Sequence, residues 1–171
     1  MLSTTKCATT FVTSIVERMN VRQDILNQKK IMIIDDDQFS VLLSRMKLKK
    51  YVCDKNIIVV KESEKAIDFL EDQINGKTNS IPDLILLETM IENGKGWDFI
   101  IQFEELVKQT THPIKLVILT CSQFFSDFKR STQFAKVDGF LIKPLQMNQL
   151  ITLFSDDEVE SSTVLLNSFI V

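Results

Sequence analysis

Five polar residues stand directly behind apolar runs in this chain. Asp35 and Asp36 follow Ile31-Met32-Ile33-Ile34, Glu88 follows Leu84-Ile85-Leu86-Leu87, Thr120 follows Leu116-Val117-Ile118-Leu119, and Lys143 follows Phe140-Leu141-Ile142. Three carboxylates brought to one crevice repel and raise one another's pKa unless a cation compensates, and two could serve: a hard divalent ion with oxygen ligands, or the ammonium of Lys143. A hydroxyl and an ammonium opposite them suit a phosphoryl group, through one hydrogen bond and one charge-assisted contact. Taken singly, an Asp run fits the first turn of any helix and a lysine any solvated surface. Their joint placement at run ends is what points to a site.

The elements that must hold these residues can be read from the hydrophobic pattern. Ile31–Ile34 leads into Phe39, Leu42, Leu43 and Met46, apolar at helical spacing. Asn56-Ile57-Ile58-Val59-Val60 leads into Ala66, Ile67, Phe69, Leu70 and Ile74, with Asn75-Gly76 as the stop. Asp83-Leu84-Ile85-Leu86-Leu87 precedes Gly94-Lys95-Gly96 and a helical pattern from Trp97 to Val107. Pro113 introduces a fourth strand from Ile114 to Leu119, a helix bearing Phe124, Phe125, Phe128 and Phe134 follows, and Gly139-Phe140-Leu141-Ile142 makes a fifth strand before Met147, Leu150, Ile151 and Phe154. Near-continuous apolar strands separated by helices require an α/β fold: a five-stranded parallel sheet, doubly wound in the flavodoxin-like manner, buried on both faces. In such sheets the working groups lie at the carboxyl ends of the strands, where all five polar residues fall.

The 171 residues suffice for one domain with extensions. With 44% hydrophobic and 25% charged residues and no apolar run near the roughly 20 residues of a bilayer helix, the composition excludes disorder and membrane insertion. A net charge of −3 is too balanced for a dedicated nucleic-acid binder. Cys7, Cys53 and Cys121 lack disulfide or zinc spacing, so a reducing, cytoplasmic setting is expected. Charge divides the chain into an N-terminal extension (1–29, net +2), a core (30–154, 16 basic against 17 acidic side chains) and a tail (155–171, net −4). In the extension Phe11, Ile15, Met19 and Leu26 recur at steps of four and seven, predicting a short amphipathic helix that lies on its own domain or meets a partner. Its Ser/Thr-rich, acid-poor character faintly resembles a transit peptide but lacks an apolar h-region or cleavage site. The tail follows an acidic linker with Val164-Leu165-Leu166 and Phe169-Ile170-Val171, which would pack on the domain or on a neighbour.

The succession Ile-Ile-Asp35-Asp36-Asp37, Pro82-Asp83-Leu84-Ile85-Leu86-Leu87-Glu88, Leu119-Thr120 and Lys143-Pro144 resembles the receiver domain of two-component response regulators, over about residues 30–154. The resemblance implies that Asp35 and Asp36, with the residue at position 88, hold Mg2+. It implies that an aspartate at position 88 takes a phosphoryl group from a sensor histidine kinase or phosphotransfer protein, and that Thr120 and Lys143 bind that group. Phe140 takes the position of the aromatic switch, Lys143-Pro144 fits a pattern often joined by a cis bond, and Gly96-Trp97 falls where the family has a glycine after the phosphorylation loop. Such a domain is a phosphorelay signalling module and not an enzyme.

One position departs from the pattern: Glu88 stands where the family has aspartate. The extra methylene displaces the carboxylate, and in-line attack tolerates little misplacement, about 1 Å costing up to 10²-fold. The longer side chain carries its charge toward Thr120 and Lys143, imitating a phosphoryl group with −1 in place of about −1.5 to −2. The expectation is a pseudo-receiver held near one conformation and signalling through protein contacts; the alternative is a receiver phosphorylated at an imperfect site. Only 17 residues follow Phe154, too few for an output domain, so the signal would leave through a downstream protein or a homodimer. Phe124, Phe125, Phe128 and Phe140 lie in the region the family uses for such contacts, and adjacent Phe124 and Phe125 cannot easily both face inward.

Rival functions meet specific obstacles. A flavin- or nucleotide-binding enzyme would need a Gly- or Ser/Thr-rich phosphate loop after the first strand, where Asp35-Asp36-Asp37 is electrostatically wrong. A magnesium-dependent phosphatase would need a nucleophilic aspartate where Glu88 stands. His112, the one histidine, has no nucleophile motif beside it. Cys121 has no neighbouring base to activate it, and Arg45, Lys47, Lys49 and Lys50 suit a solvated helix end.

Overall fold

The computed structural model describes residues 26–76 and 80–155. The strands are β1 (Ile31–Ile34), β2 (Ile57–Val60), β3 (Leu84–Leu87), β4 (Lys115–Thr120) and β5 (Gly139–Ile142). The helices are α1 (Gln38–Leu48), α2 (Ser63–Ile74), α3 (Gly96–Leu106), α4 (Phe125–Ser131) and α5 (Met147–Ser155). All pairings are parallel in the order β2-β1-β3-β4-β5, the doubly wound flavodoxin-like arrangement expected from the apolar runs. Of the N-terminal extension expected over 1–29, residues 1–25 lie outside the described residues, as does the tail beyond 155.

Strand alternation divides the core into two clusters. Ile31, Ile33, Leu84, Leu86, Val117, Leu119 and Leu141 face α1 and α5, joined by Leu26, Val41 and Leu48. Met32, Ile34, Ile85, Leu87, Leu116, Ile118 and Phe140 face α2 and α3, where Phe99, Ile100 and Phe103 are buried. Burial on both faces explains why the strands read as unbroken apolar runs, most completely in β1 and β3, where every residue is buried.

Two helices differ from their sequence pattern. α1 forms where Phe39, Leu42, Leu43 and Met46 predicted a helix, but those four side chains face outward, and Ser40, Val41, Ser44 and Leu48 are the buried ones. On the buried face the hydroxyl of Ser40 donates to buried Asp35, beside Val41 and Leu48 in the core. α4 is shorter than the spacing of its phenylalanines suggested: Phe124 sits at its N-cap and Phe134 lies beyond its end. The hydroxyls of Ser131 and Thr132 donate to the carbonyls of Phe128 and Lys129, side-chain bonds that compete with helix continuation. Asn75-Gly76 does end α2, with Gly76 at φ +78°.

Candidate functional site

Register brings the site together before any side chain is considered. Ile34 pairs with Leu87, so Asp35 and Glu88 leave adjacent central strands at the same level. Thr120 pairs with Ile142, which places Lys143 one residue past the hydroxyl on the neighbouring strand. The backbone supports these exits: Glu88 N–H donates to Ile34 O at 2.9 Å and Lys143 N–H to Thr120 O at 2.8 Å. The Lys143–Pro144 peptide is cis.

The side chains close one network around Lys143. Its ammonium lies 2.7 Å from Asp35 Oδ2 and 2.8 Å from Glu88 Oε2; both carboxylates are buried and Lys143 is largely so. Thr120 Oγ1 donates to Glu88 Oε1 at 2.7 Å, and the backbone N–H groups of Met90 and Cys121 donate to Oε1 and Oε2 at 3.0 and 3.3 Å. Asp35 takes the hydroxyl of Ser40 on Oδ2 at 2.7 Å and the N–H of Asp37 on Oδ1 at 3.0 Å. Burial, the largest influence on Lys143, disfavours its charge, but hydrogen bonds and attraction from Asp35 and Glu88 outweigh it and hold the pKa above the ordinary lysine value.

Asp36 does not join this group. It is exposed, and its Oδ2 accepts the N–H of Glu92 at 3.2 Å. Among the described residues no three metal-ligating side chains gather in one place. Every oxygen of Asp35 and Glu88 already accepts a protein donor, with Lys143 standing between them. The ammonium of Lys143 offsets one of these two carboxylate charges and takes a position on each carboxylate, so a divalent ion that bound both would compete with it.

Phe140 is buried, its ring edge-on to Phe128 at 5.8 Å between centroids. Phe124 and Phe125 both face outward, a stronger departure from core packing than the expectation that one of the pair must do so. His112 lies 3.7 Å from Asp83, remote from the network in sequence and partners. Cys121 is exposed at the rim, beside a groove of about 340 Å³ between α1 and the Lys143-Pro144-Leu145 turn.

Three further residues shape the site. Ser40, five positions after Asp35, is marked in the sequence by nothing but its proximity. Glu92 adopts a left-handed conformation (φ 47°) and its carboxylate accepts both the N–H and the hydroxyl of Ser63 at 2.8 and 2.9 Å, tying the loop after β3 to the start of α2. Those bonds and the ammonium of Lys95 lower the Glu92 pKa. Gly96 permits the loop to close: a Cβ there would lie 2.6 Å from both Glu88 O and Thr89 Cα.

No protein-family model matches the sequence, and no curated protein matches it. Solved structures do match in shape. The receiver domain of the histidine kinase CKI1 from Arabidopsis thaliana, in complex with Mg2+ and BeF3-, is similar at TM-score 0.65 and 18% identity, over 80% of this chain and 93% of that one. A response regulator receiver protein from Dyadobacter fermentans is similar at TM-score 0.62 and 24% identity, over 73% and 94%. The bacteriophytochrome response regulator AtBRR gives 0.56 and 25%, over 75% and 91%. The shared architecture is the response-regulator receiver fold, and no helix among the described residues is long and apolar enough to cross a membrane.

Proposed function

We propose that this chain, built on the receiver fold, acts as a pseudo-receiver in two-component signalling. Glu88 supplies permanently the negative charge that a phosphorylated receiver gains for a time. The observation that carries this proposal is the pairing of Glu88 with both residues that the resemblance assigns to the phosphoryl group: Thr120 at 2.7 Å and Lys143 at 2.8 Å. A carboxylate saturated by these donors and by two backbone N–H groups is stabilised as an anion and poorly disposed to attack phosphorus, because nucleophilic attack would have to give up those bonds. The inward, ring-packed Phe140 supports a domain held in one state. The output in this proposal is a protein contact with a histidine kinase, a phosphotransfer protein or a downstream target, without enzymatic turnover. Mg2+ is not required, since Lys143 provides the compensating cation.

The test is treatment with a small-molecule phosphodonor and Mg2+, followed by intact mass. The wild-type chain is expected to stay unmodified, and Glu88→Asp, with its shorter carboxylate, to gain one phosphoryl group. Beryllofluoride with Mg2+ is expected to bind the Glu88→Asp variant more tightly than the wild type. Stoichiometric phosphorylation of the wild-type chain mapped to Glu88 would overturn the proposal.

A further inference from the structure

Glu92, Asn93 and Gly94, in the loop after β3, follow one another at φ 47°, 63° and 102°, all in the left-handed region. Glycine takes that region freely and asparagine tolerates it, but Glu92 does so against the clash of its own Cβ with the backbone. A conformation of this kind persists only where the contacts around it over-determine it.

Glu92 is held at both of its ends. One carboxylate oxygen accepts the N–H of Ser63 at 2.8 Å and the Ser63 hydroxyl at 2.9 Å, and the ammonium of Lys95 lies 3.2 Å from the other. Glu62, the cap residue of α2, makes no side-chain bond to its helix, so the carboxylate that serves the first turn of α2 comes from 29 residues further along the chain. Lys95 also reaches Glu64 of α2, at 3.6 Å. At its backbone end, with φ 47° and ψ 44°, Glu92 donates its N–H to Asp36 Oδ2 at 3.2 Å. With the side chain anchored on Ser63, a return of φ to the ordinary negative range swings that N–H away from Asp36. Asp36 adjoins Asp35 at the edge where Asp35 and Glu88 leave paired strands, yet it is exposed and stands apart from both.

We propose that Glu92 is a positioning residue: docked on α2 through its carboxylate, it holds its own N–H on Asp36, and so keeps Asp36 out of the carboxylate group and the site closed to divalent cations. Release of the loop from α2 lets residue 92 return to an ordinary backbone conformation and frees Asp36. A hard divalent cation then has a third carboxylate with which to compete against Lys143 for Asp35 and Glu88. The inference concerns Asp36 and stands apart from the pseudo-receiver reading of Glu88, which the phosphodonor experiment judges separately.

Mn2+ titration of the full-length chain, with free Mn2+ measured by electron paramagnetic resonance, tests it. Glu92→Ala removes the carboxylate and leaves a side chain that resists the left-handed conformation. Glu92→Gly removes the same charge but takes that conformation freely and keeps the N–H on Asp36. Glu92→Ala is expected to bind Mn2+ about tenfold more tightly than the wild type, the gain that release of a loop closed in about nine molecules of ten gives, and Glu92→Gly to stay within about threefold of the wild type. Asp36→Asn added to Glu92→Ala is expected to abolish the gain. An equal gain in both single variants would show that the lost charge acts without the backbone, and a gain that survives Asp36→Asn would exclude Asp36 as the ligand; either overturns the proposal. So does a Glu92→Ala chain that unfolds cooperatively and binds no better than the wild type. Where Glu92→Ala fails to fold, Ser63→Ala, which removes one donor to the Glu92 carboxylate from outside the loop, decides: about twofold tighter binding is expected, and unchanged binding overturns the proposal.

Discussion

Lys143 and Glu88 face each other at 2.8 Å, and the same ammonium reaches Asp35 at 2.7 Å. One cation thus serves two buried carboxylates from two different strands. Its removal leaves both without their charged partner, a situation far costlier than the loss of an exposed ion pair.

Lys143→Met is expected to lower stability by about 3 kcal/mol at neutral pH, the low end of the range for stripping one partner from a buried pair. Urea unfolding measures it. The pH dependence has a definite sign. Because the folded-state pKa of Lys143 lies above the ordinary 10.5, its stabilisation is whole below that value and is lost as pH rises through the raised one. The difference in stability between wild type and variant should therefore stay level up to about pH 10 and shrink at more alkaline pH. A difference that grows with alkalinity would contradict the assignment.

Thr120→Val keeps the shape of the side chain and removes its hydroxyl. Glu88 Oε1 then loses its 2.7 Å donor and the N–H of Ser122 loses its 3.1 Å acceptor. A hydrogen bond to a charged group contributes about 1.5–3 kcal/mol, so a loss of about 2 kcal/mol is expected. The urea midpoint should fall with the m-value unchanged, since the same surface is buried.

How far such a site is visible in sequence depends on which force sets each part. The strands and the positions of Asp35, Glu88, Thr120 and Lys143 were legible because burial on both faces leaves unbroken apolar runs that end where the sheet ends. The rotation of α1 was not, because periodicity reports only that Phe39, Leu42, Leu43 and Met46 share a face. The face that turns inward carries Ser40, bonded to Asp35, together with Val41 and Leu48, and the larger apolar stripe does not reveal it. The place of Asp36 outside the carboxylate group depends on the N–H of Glu92, 56 residues away, and nothing in the sequence marks a glutamate as left-handed. The length of α4 depended on hydroxyls at its end and not on its phenylalanines.

Thr89, next to Glu88, is fully buried, and its Oγ1 has no hydrogen-bond partner among the described residues. A buried unsatisfied hydroxyl costs about 1–3 kcal/mol, whereas valine fills the same volume without that cost. Thr89→Val is expected to stabilise the chain by about 1 kcal/mol, a rise in Tm of about 2–4 °C for a protein of this size. Differential scanning calorimetry reads the shift, and a lower Tm would show that the hydroxyl has a partner.

Gly96 starts α3 where the chain passes under the loop that carries Glu88. A methyl group there would meet Glu88 O and Thr89 Cα at 2.6 Å and Thr89 O at 2.8 Å, and all three are backbone atoms that no rotamer change can move aside. The φ at Gly96 is not in the left-handed region, so backbone strain is not the obstacle and the effect of a substitution reports the close approach alone. Gly96→Ala is expected to cost about 3 kcal/mol, the upper end for overpacking, because relief requires the loop after β3 to shift. That shift would draw Glu88 away from Thr120 and Lys143, so the variant should lose stability and also show changed amide chemical shifts at Met90 and Cys121, whose N–H groups donate to the Glu88 carboxylate. Equal destabilisation with those two amides unmoved would place the clash elsewhere and separate Gly96 from the positioning of Glu88.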